Sequence, residues 1–322
     1  MDYQYWPSGR LYKRYWERGT NTTYTYNYAG EVQTVDYSDT TPDVTYSYDR
    51  RGRQTTVLQN GITTTFHYDH ASLLLGESYA GGTLNNLRLT NVYDAYFRRT
   101  NLAAQYSTTP LLQNSFGFDT ASRLLTVTDG TNNATYAYLA NSPLISQITL
   151  KSNTTTRMTT TRQYDLLNRL QSISSSPSSS SASLISFSYL YNDANQRVLR
   201  TESDASRWVY DYDKLGQVTS GKKYWLDGSP VPGQQFEYGF DDIGNRTSTK
   251  AGRDANGANL RSATYTRTPT NTYSSRTVPG GFDVVGLANN AASVTVNSSP
   301  ADYRRGEYFQ EALTVANGSA PV

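Results

Sequence analysis

The chain has 322 residues, a formal net charge of +2, no cysteine, 36% hydrophobic residues and 13% aromatics, with 28 Tyr against 9 Phe. These figures exclude a disulfide framework and a thiolate metal centre, and give no electrostatic case for a nucleic-acid or membrane-surface partner. No apolar run approaches membrane-spanning length, and the opening M-D-Y-Q-Y-W-P-S-G-R-L lacks the basic-then-apolar plan of a signal peptide.

Taken in order, the chain reads as strands broken by tight turns. In Thr23–Tyr28 the tyrosines Tyr24, Tyr26 and Tyr28 alternate, as a half-buried strand requires. Val44, Tyr46 and Tyr48 do the same, with Thr45 and Ser47 on the opposite face. Asp49 and Gly52 then bracket a turn: the Asp carboxylate can accept backbone N–H groups two residues on, and Gly takes the left-handed conformation. Arg53 restarts a polar strand. Asn60-Gly61 predicts a hairpin between Gln54–Gln59 and Ile62–Tyr68. Residues 89–158 repeat the logic less cleanly, with Leu124–Thr128, the turn Asp129-Gly130, and Ala134–Tyr138. Ser174–Ser183 (S-S-S-P-S-S-S-S-A-S) has nothing to bury and predicts a flexible loop. Alternating triplets return at Phe187/Tyr189/Tyr191, Trp208/Tyr210/Tyr212 and Phe236/Tyr238/Phe240, with Trp225–Gln234 as an inserted turn. Beyond Gly252 the pattern stops. Residues 253–281 read as a linker, and residues 282–322 as a small, incomplete, sandwich-like β module with strands at Ala292–Asn297 and Tyr308–Ala316. No sustained helical periodicity occurs anywhere.

The turns form a repeat. Aligned on the aromatic before the turn, the anchors are Tyr5, Tyr26, Tyr48, Tyr68, Tyr93, Phe118, Tyr138, Tyr164, Tyr191, Tyr212 and Phe240, eleven units spaced 20 to 28 residues apart. The next position is Asp at Asp49, Asp69, Asp94, Asp119, Asp165, Asp213 and Asp241, and Asn at Asn27 and Asn192. Three residues later stands Gly at Gly9, Gly30, Gly52, Gly216 and Gly244, or Asn at Asn168 and Asn195, the residue next most tolerant of that conformation. Arg follows at Arg10, Arg53, Arg98, Arg123 and Arg169. The first unit has Trp6 for the Asp, the seventh reads Y-L-A-N-S-P-L, and the fifth puts Phe97 where Gly is expected. A period in this range marks a stacked array rather than one globular core. The expected fold is therefore all-β: about eleven tandem hairpins over residues 1–252.

This Y-D-x-x-G-R-L pattern, with F-D-T-A-S-R-L-L at Phe118 and Y-D-L-L-N-R-L at Tyr164, resembles the YD repeat of the RHS family of bacterial proteins over roughly residues 3–250. The resemblance implies that the hairpins wind into a spiral sheet, as a partial shell or open solenoid. It further implies a secreted or cell-surface protein whose shell encloses or presents a C-terminal toxin. The partners it implies are the rest of one longer polypeptide: further repeats and a C-terminal cargo domain. The self-cleavage motif of such shells, with its D-P-x-G, is missing, since no Asp-Pro dipeptide occurs. The expected role is a non-catalytic scaffold segment needing no cofactor. A second reading is a carbohydrate-binding adhesion array, with Trp16, Trp208 and Trp225 stacking on sugar rings.

Other chemistry finds little support. His67 and His70 flank Tyr68-Asp69, but positions three apart in a strand face opposite ways and no third ligand has suggestive spacing, so neither is expected to hold a metal. The acidic residues recur one per turn rather than as a facing pair, which leaves Asp211/Asp213 and Asp241-Asp242 as the closest pairs and gives no basis for paired-carboxylate hydrolysis. No G-x-S-x-G occurs.

Overall fold

A chain that must reverse direction after every few residues can pair each strand most cheaply with the next one, because the loop to be closed is short. The computed structural model describes residues 1–179, 183–252 and 254–315, and most of their strands follow that rule. They hold 29 strands and one 3-10 turn, Gly82–Leu84, and no helix long and apolar enough to cross a membrane. The chain divides into two compact units, Met1–Pro143 with Ile148–Arg157, and Leu144–Gln147 with Met158–Val322.

In the first unit the thirteen strands from Asp2–Tyr5 to Asn132–Tyr138 form one antiparallel meander, each paired with its successor. The hairpin expected at Asn60-Gly61 is present, with φ of 52° and 70°, the left-handed pair a two-residue turn needs. Side-chain alternation sorts the residues onto two faces. Across four consecutive strands one row runs Tyr46, Val57, Thr64, Tyr79, and the adjacent row on the other face runs Ser47, Thr56, Thr65, Ser78. The aromatic side chains gather on one face, and Ser and Thr predominate on the other. Tyr28, expected in a strand, lies in a turn after the strand Asn21–Tyr26 and is fully exposed.

The second unit repeats the plan. The strand ending at Tyr164 pairs with Leu170–Pro177, and the meander continues to Tyr273–Arg276. Two expectations need correction here. Ser174, Ser175 and Ser176 are not loop. They belong to the strand Leu170–Pro177, opposite Thr161, Thr160 and Thr159, and the Thr160 and Ser175 hydroxyls hydrogen-bond at 2.9 Å. A serine run reads as loop because it brings no apolar area, yet here Ser174 and Ser176 lie opposite Thr161 and Thr159 on one face while Ser175 meets Thr160 on the other. Residues 180–182 of that run lie outside the described residues.

The second correction concerns residues 253–281. They are not a linker but carry two further array strands, Leu260–Arg267 and Tyr273–Arg276. Asp254 opens a turn of the standard kind, its N–H donating to Ala258 O at 3.1 Å and its carbonyl accepting from Gly257 at 3.0 Å. The repeat was invisible there because no aromatic precedes Asp254.

The C-terminal module is a three-stranded antiparallel sheet with Tyr308–Thr314 between Gly281–Leu287 and Tyr303–Arg305, plus a short hairpin of Thr295–Val296 and Ser299–Pro300. The strand expected at Ala292–Asn297 shrinks to two residues because Asn297 and Ser298 both take positive φ and turn the chain. Ala316 lies outside the described residues.

Burial is sparse. Val35, Val44, Val231 and Ala263 are the buried aliphatic side chains among the described residues, against buried polar Thr22, Thr160, Ser206, Ser220, Gln235, Gln310 and Glu311. Such an array is held by cross-strand pairs, each contributing a few tenths to about 1 kcal/mol, rather than by one core. The densest packing lies where the module meets the strand Pro230–Phe240. Val231 is 1% exposed and Gln235 0%. Tyr308 Oη donates to Pro232 O at 2.5 Å, the rings of Trp225 and Tyr308 meet edge-on at 5.5 Å, and Arg305 reaches Asp227 at 2.9 Å. Arg261 of the array pairs with Asp283 of the module. Trp225–Gln234 is thus the module's docking site.

Candidate functional site

The recurrent residues assemble into one device, a five-residue turn at the sheet edge. In Asp49–Arg53 the Asp N–H donates to Arg53 O at 2.9 Å, and Gly52 N–H donates to Asp49 O at 3.0 Å. Asp49 Oδ1 accepts from the backbone N–H of Arg51 and Arg53, and Oδ2 accepts from Arg53 Nε at 2.7 Å. One carboxylate thereby caps the turn and anchors the Arg that starts the next strand. Asp94 with Arg98, Asp119 with Arg123, and Asp165 with Arg169 repeat the arrangement.

These bonds shift the acids. The guanidinium of Arg98 holds the Asp94 carboxyl below the usual carboxylate range. For Asp119 the backbone N–H of Arg123 leads and, together with its side chain, outweighs the upward pull of desolvation, with the same sense. At Asp49 and Asp165 partial desolvation pulls upward, but the hydrogen bonds from Arg53 and Arg169 outweigh it and the acids are again lowered.

The fourth turn position takes positive φ with Gly, Asn, Ser and Phe alike, and in the seventh unit Asn141, one residue earlier, takes it at 54°. Gly52, Gly216 and Gly244 take it freely, at 77°, 82° and 88°. Asn168 and Asn195 follow at 62° and 61°, and Ser72, Ser122 and even Phe97 are driven to 70°, 62° and 62°. Phe97 shows that the surrounding ladder overrides local preference.

What the spacing alone did not show is the use of the turn's Arg and of the anchor aromatic. Arg53 Nη1 donates to Asp69 O in the next turn at 2.8 Å while its guanidinium lies 4.8 Å from the Tyr68 ring centre. Arg98 stacks on Phe118 at 4.7 Å, Arg123 on Tyr138 at 4.3 Å and Arg169 on Tyr191 at 4.9 Å. In the opposite direction the anchor hydroxyl donates to a carbonyl just beyond the previous turn: Tyr26 to Leu11, Tyr48 to Val32, Tyr93 to Leu74, Tyr164 to Ile145, Tyr191 to Leu170 and Tyr212 to Arg197, at 2.7 to 3.1 Å. Turns with both an Arg and a Tyr anchor are thus clasped to their neighbours on both sides. The sequence signal was the recurrence of Arg at the fifth position together with Tyr, rather than Phe, at most anchors.

Where the Arg is absent the pairing changes but the contact persists. Asn27 donates to Glu31 at 2.6 Å, Asn192 to Gln196 at 2.7 Å, while Asp213 accepts from Gln217 and Asp241 from Asn245, both at 2.9 Å. Asp69 is the exception: its fifth-position partner is Leu73, which offers only a backbone N–H, at 2.8 Å. Phe240, lacking a hydroxyl, makes no such donation. Turns of the same geometry also occur on the opposite edge, at Trp16, Glu202, Trp225 and Asp254.

The tryptophans are engaged by the protein itself. Trp16 Nε1 donates to Thr22 Oγ1 at 3.0 Å, and the Arg14 guanidinium covers its ring at 3.7 Å. Trp208 lies nearly parallel to Tyr210 and Phe236, with ring centres 6.3 and 6.1 Å away. Trp225 carries Arg305 at 4.9 Å in addition to Tyr308. His67 lies exposed in the strand Ile62–Tyr68, and His70 sits in the following turn, where its carbonyl accepts from Arg51 at 2.6 Å. Asp211 accepts from Ser220 Oγ at 2.6 Å, and Asp241 also pairs with Arg267 at 3.1 Å.

No protein-family model and no curated protein matches the chain. Solved structures do. In the structure described as TcdB2-TccC3-Cdc42, a chain matches 98% of this one with a TM-score of 0.63 at 14% identity. In a structure of the Photorhabdus luminescens Tc holotoxin pore, a chain matches 81% with a TM-score of 0.50 at 12% identity. At these identities the likeness is one of fold, and the chain spans 18% of the length of each of those two chains. The class is therefore that of tandem antiparallel hairpin arrays built like part of a Tc toxin chain.

Proposed function

We propose that this chain is a non-catalytic wall segment of a larger RHS-type β-shell, one that encloses or presents a toxin as cargo. The observation that carries this reading is the commitment of the recurrent residues. The turn Asp is spent on its own turn, and the fifth-position Arg and the anchor Tyr on the adjoining one, as in Asp119–Arg123–Tyr138, rather than aimed at a shared cavity. Catalytic carboxylates would be expected to converge with their pKa values driven apart, whereas here several turn acids are lowered in the same sense by the same kind of partner. The fold likeness to chains described as parts of Tc toxin assemblies supports the same role, with secretion or surface display and partners drawn from further repeats and a cargo segment. The sugar-stacking alternative draws no support from Trp16, Trp208 and Trp225, whose rings are engaged by Arg14, by Tyr210 and Phe236, and by Arg305 and Tyr308.

The test is direct. The purified chain, incubated with polysaccharide, peptide and nucleic-acid panels, is expected to hydrolyse none of them and to bind no glycan on an array. Hydrolysis that is lost on changing Asp241, Asp242 or His67 would replace the scaffold by an enzyme.

A further inference from the structure

The face on which the aromatic side chains gather carries charge very differently in the two units. In the thirteen-strand meander of the first unit its strand residues include Arg14 and Arg99 against Glu77 and Asp129, which balance. In the array strands of the second unit the same face carries Arg162, Arg197, Arg200, Lys223, Arg246 and Arg276 against Glu202, leaving aside Arg261, which is spent on Asp283. The registers set these cations among the rings. Tyr189, Arg200, Trp208 and Lys223 form one row, while Arg197, Arg246 and Arg276 stand opposite Tyr191, Phe240 and Tyr265. Glu202 accepts from Arg200 and, at 2.9 Å, from Lys223. Among the described residues no carboxylate pairs with Arg162, Arg197, Arg246 or Arg276, and the Nε of Arg162 is buried with no partner. The Tyr265 hydroxyl is held below its ordinary value, by a hydrogen bond from Thr249 first and then by Arg276 and Arg246 beside it. The repeat does not require this surplus, since the first unit builds the same face without it.

We propose that the aromatic face of the second unit binds an acidic segment of another polypeptide, whose carboxylates are taken by Arg162, Arg197, Arg246 and Arg276. The ring contacts favour a peptide over a nucleic acid. Arg197 lies 4.2 Å from the Tyr189 ring centre, Arg246 5.0 Å from Tyr238, Arg276 5.4 Å from Tyr265 and Arg200 5.8 Å from Trp208. Bases would need those ring faces free for stacking. A guanidinium lying on a ring still presents its N–H fork to a carboxylate, with charge-assisted hydrogen bonds. The inference rests on the charge of one sheet face and not on enclosure of a cargo, so its failure would leave the wall reading intact.

The probe is a labelled peptide of about fourteen residues alternating Glu with Gly, long enough when extended to cross the strands from Thr155–Tyr164 to Tyr273–Arg276 at about 4.8 Å apiece. Titrated into the full chain, it is expected to bind saturably, and more weakly as sodium chloride rises from about 50 to about 500 mM. A peptide with Gln in place of Glu should not bind. In the unaltered chain the bound peptide should shield Arg197, Arg246 and Arg276 from phenylglyoxal, read by mass spectrometry, and leave Arg88 on the opposite face reactive. Arg197→Gln with Arg246→Gln should weaken binding about fivefold, the loss of two exposed ion pairs. Arg88→Gln with Arg157→Gln removes the same charge from the opposite face and should change nothing. No saturable binding up to about 1 mM, the weak end of specific affinity, would overturn the proposal. So would equal weakening by the two double variants, which would reduce the effect to net charge. Tighter binding of an oligothymidylate of the same charge, with the same arginines shielded, would replace the acidic peptide by a nucleic acid.

Discussion

The guanidinium carbon of Arg123 lies 4.3 Å from the centre of the Tyr138 ring, whose hydroxyl donates at 2.6 Å to the carbonyl of Leu124, the residue after that arginine. One aromatic therefore reads both the side chain and the backbone of the preceding turn. Tyr138→Phe should cost about 1 kcal/mol, the usual net worth of such a bond. Tyr138→Leu combined with Arg123→Ala in a double-mutant cycle should show a coupling of about 0.5–1 kcal/mol from the ring–cation contact. Urea denaturation measures both, and additivity would show that the stacking is geometric only.

The lowered turn acids make stability depend on pH. Asp94 and Asp119 have folded-state pKa values below their unfolded ones. The stability they contribute is fully present above the unfolded value of about 4 and is lost as pH falls through the folded values. The thermal midpoint should be flat from pH 7 to about 5 and decline below about 4. Asp94→Asn with Asp119→Asn keeps the turn acceptors, as Asn192 does naturally, and should lower the neutral-pH midpoint while flattening the acid limb.

Phe97 holds φ at 62° and is 64% exposed. A side chain in the left-handed region costs about 1–2 kcal/mol, and little packing is lost on removing an exposed one. Phe97→Gly is expected to raise stability by about 1 kcal/mol, after allowing for the greater freedom glycine gives the unfolded chain. A loss of stability in equilibrium denaturation would mean that the ring makes a contact worth more than the strain.

Docking of the C-terminal module should fail at alkaline pH. Burial against the array raises the Tyr308 hydroxyl to about 12. A folded-state pKa raised above the ordinary value near 10 gives stability that is complete below that value and is lost as pH rises through about 12. Exchange protection in Gly281–Leu287 and Tyr308–Thr314 is expected to fall over that window before protection in the array does. Tyr308→Phe should weaken docking at pH 7 yet remove the alkaline loss.

Gly233 is the backbone counterpart of that contact. It takes φ of 74°, and a Cβ there would stand 2.8 Å from Val285 Cγ1 of the module. Gly233→Val is expected to free the module while leaving the Asp49–Arg53 and Asp119–Arg123 turns intact, which limited proteolysis would report as cleavage near residue 280 ahead of any cut in the array.

The sequence by itself determined the strand–turn alternation, the edge turns at Asp49, Asp94, Asp119 and Asp165, and the hairpin at Asn60-Gly61, because these depend on two to five consecutive residues whose carboxylates and φ preferences act locally. Only the tertiary structure decided where the arginines go, since the next turn lies 15 or more residues away and pairing, not sequence distance, brings Arg53 to Tyr68 and Arg123 to Tyr138. The same holds for Ser174–Ser176, drawn into a strand by the threonines opposite them. It holds for the turn at Asp254, which needs no aromatic because its strands already have partners. It holds most of all for Trp225–Gln234, turn-like in sequence, where the buried Pro232 accepts from Tyr308, a residue 76 positions further along the chain.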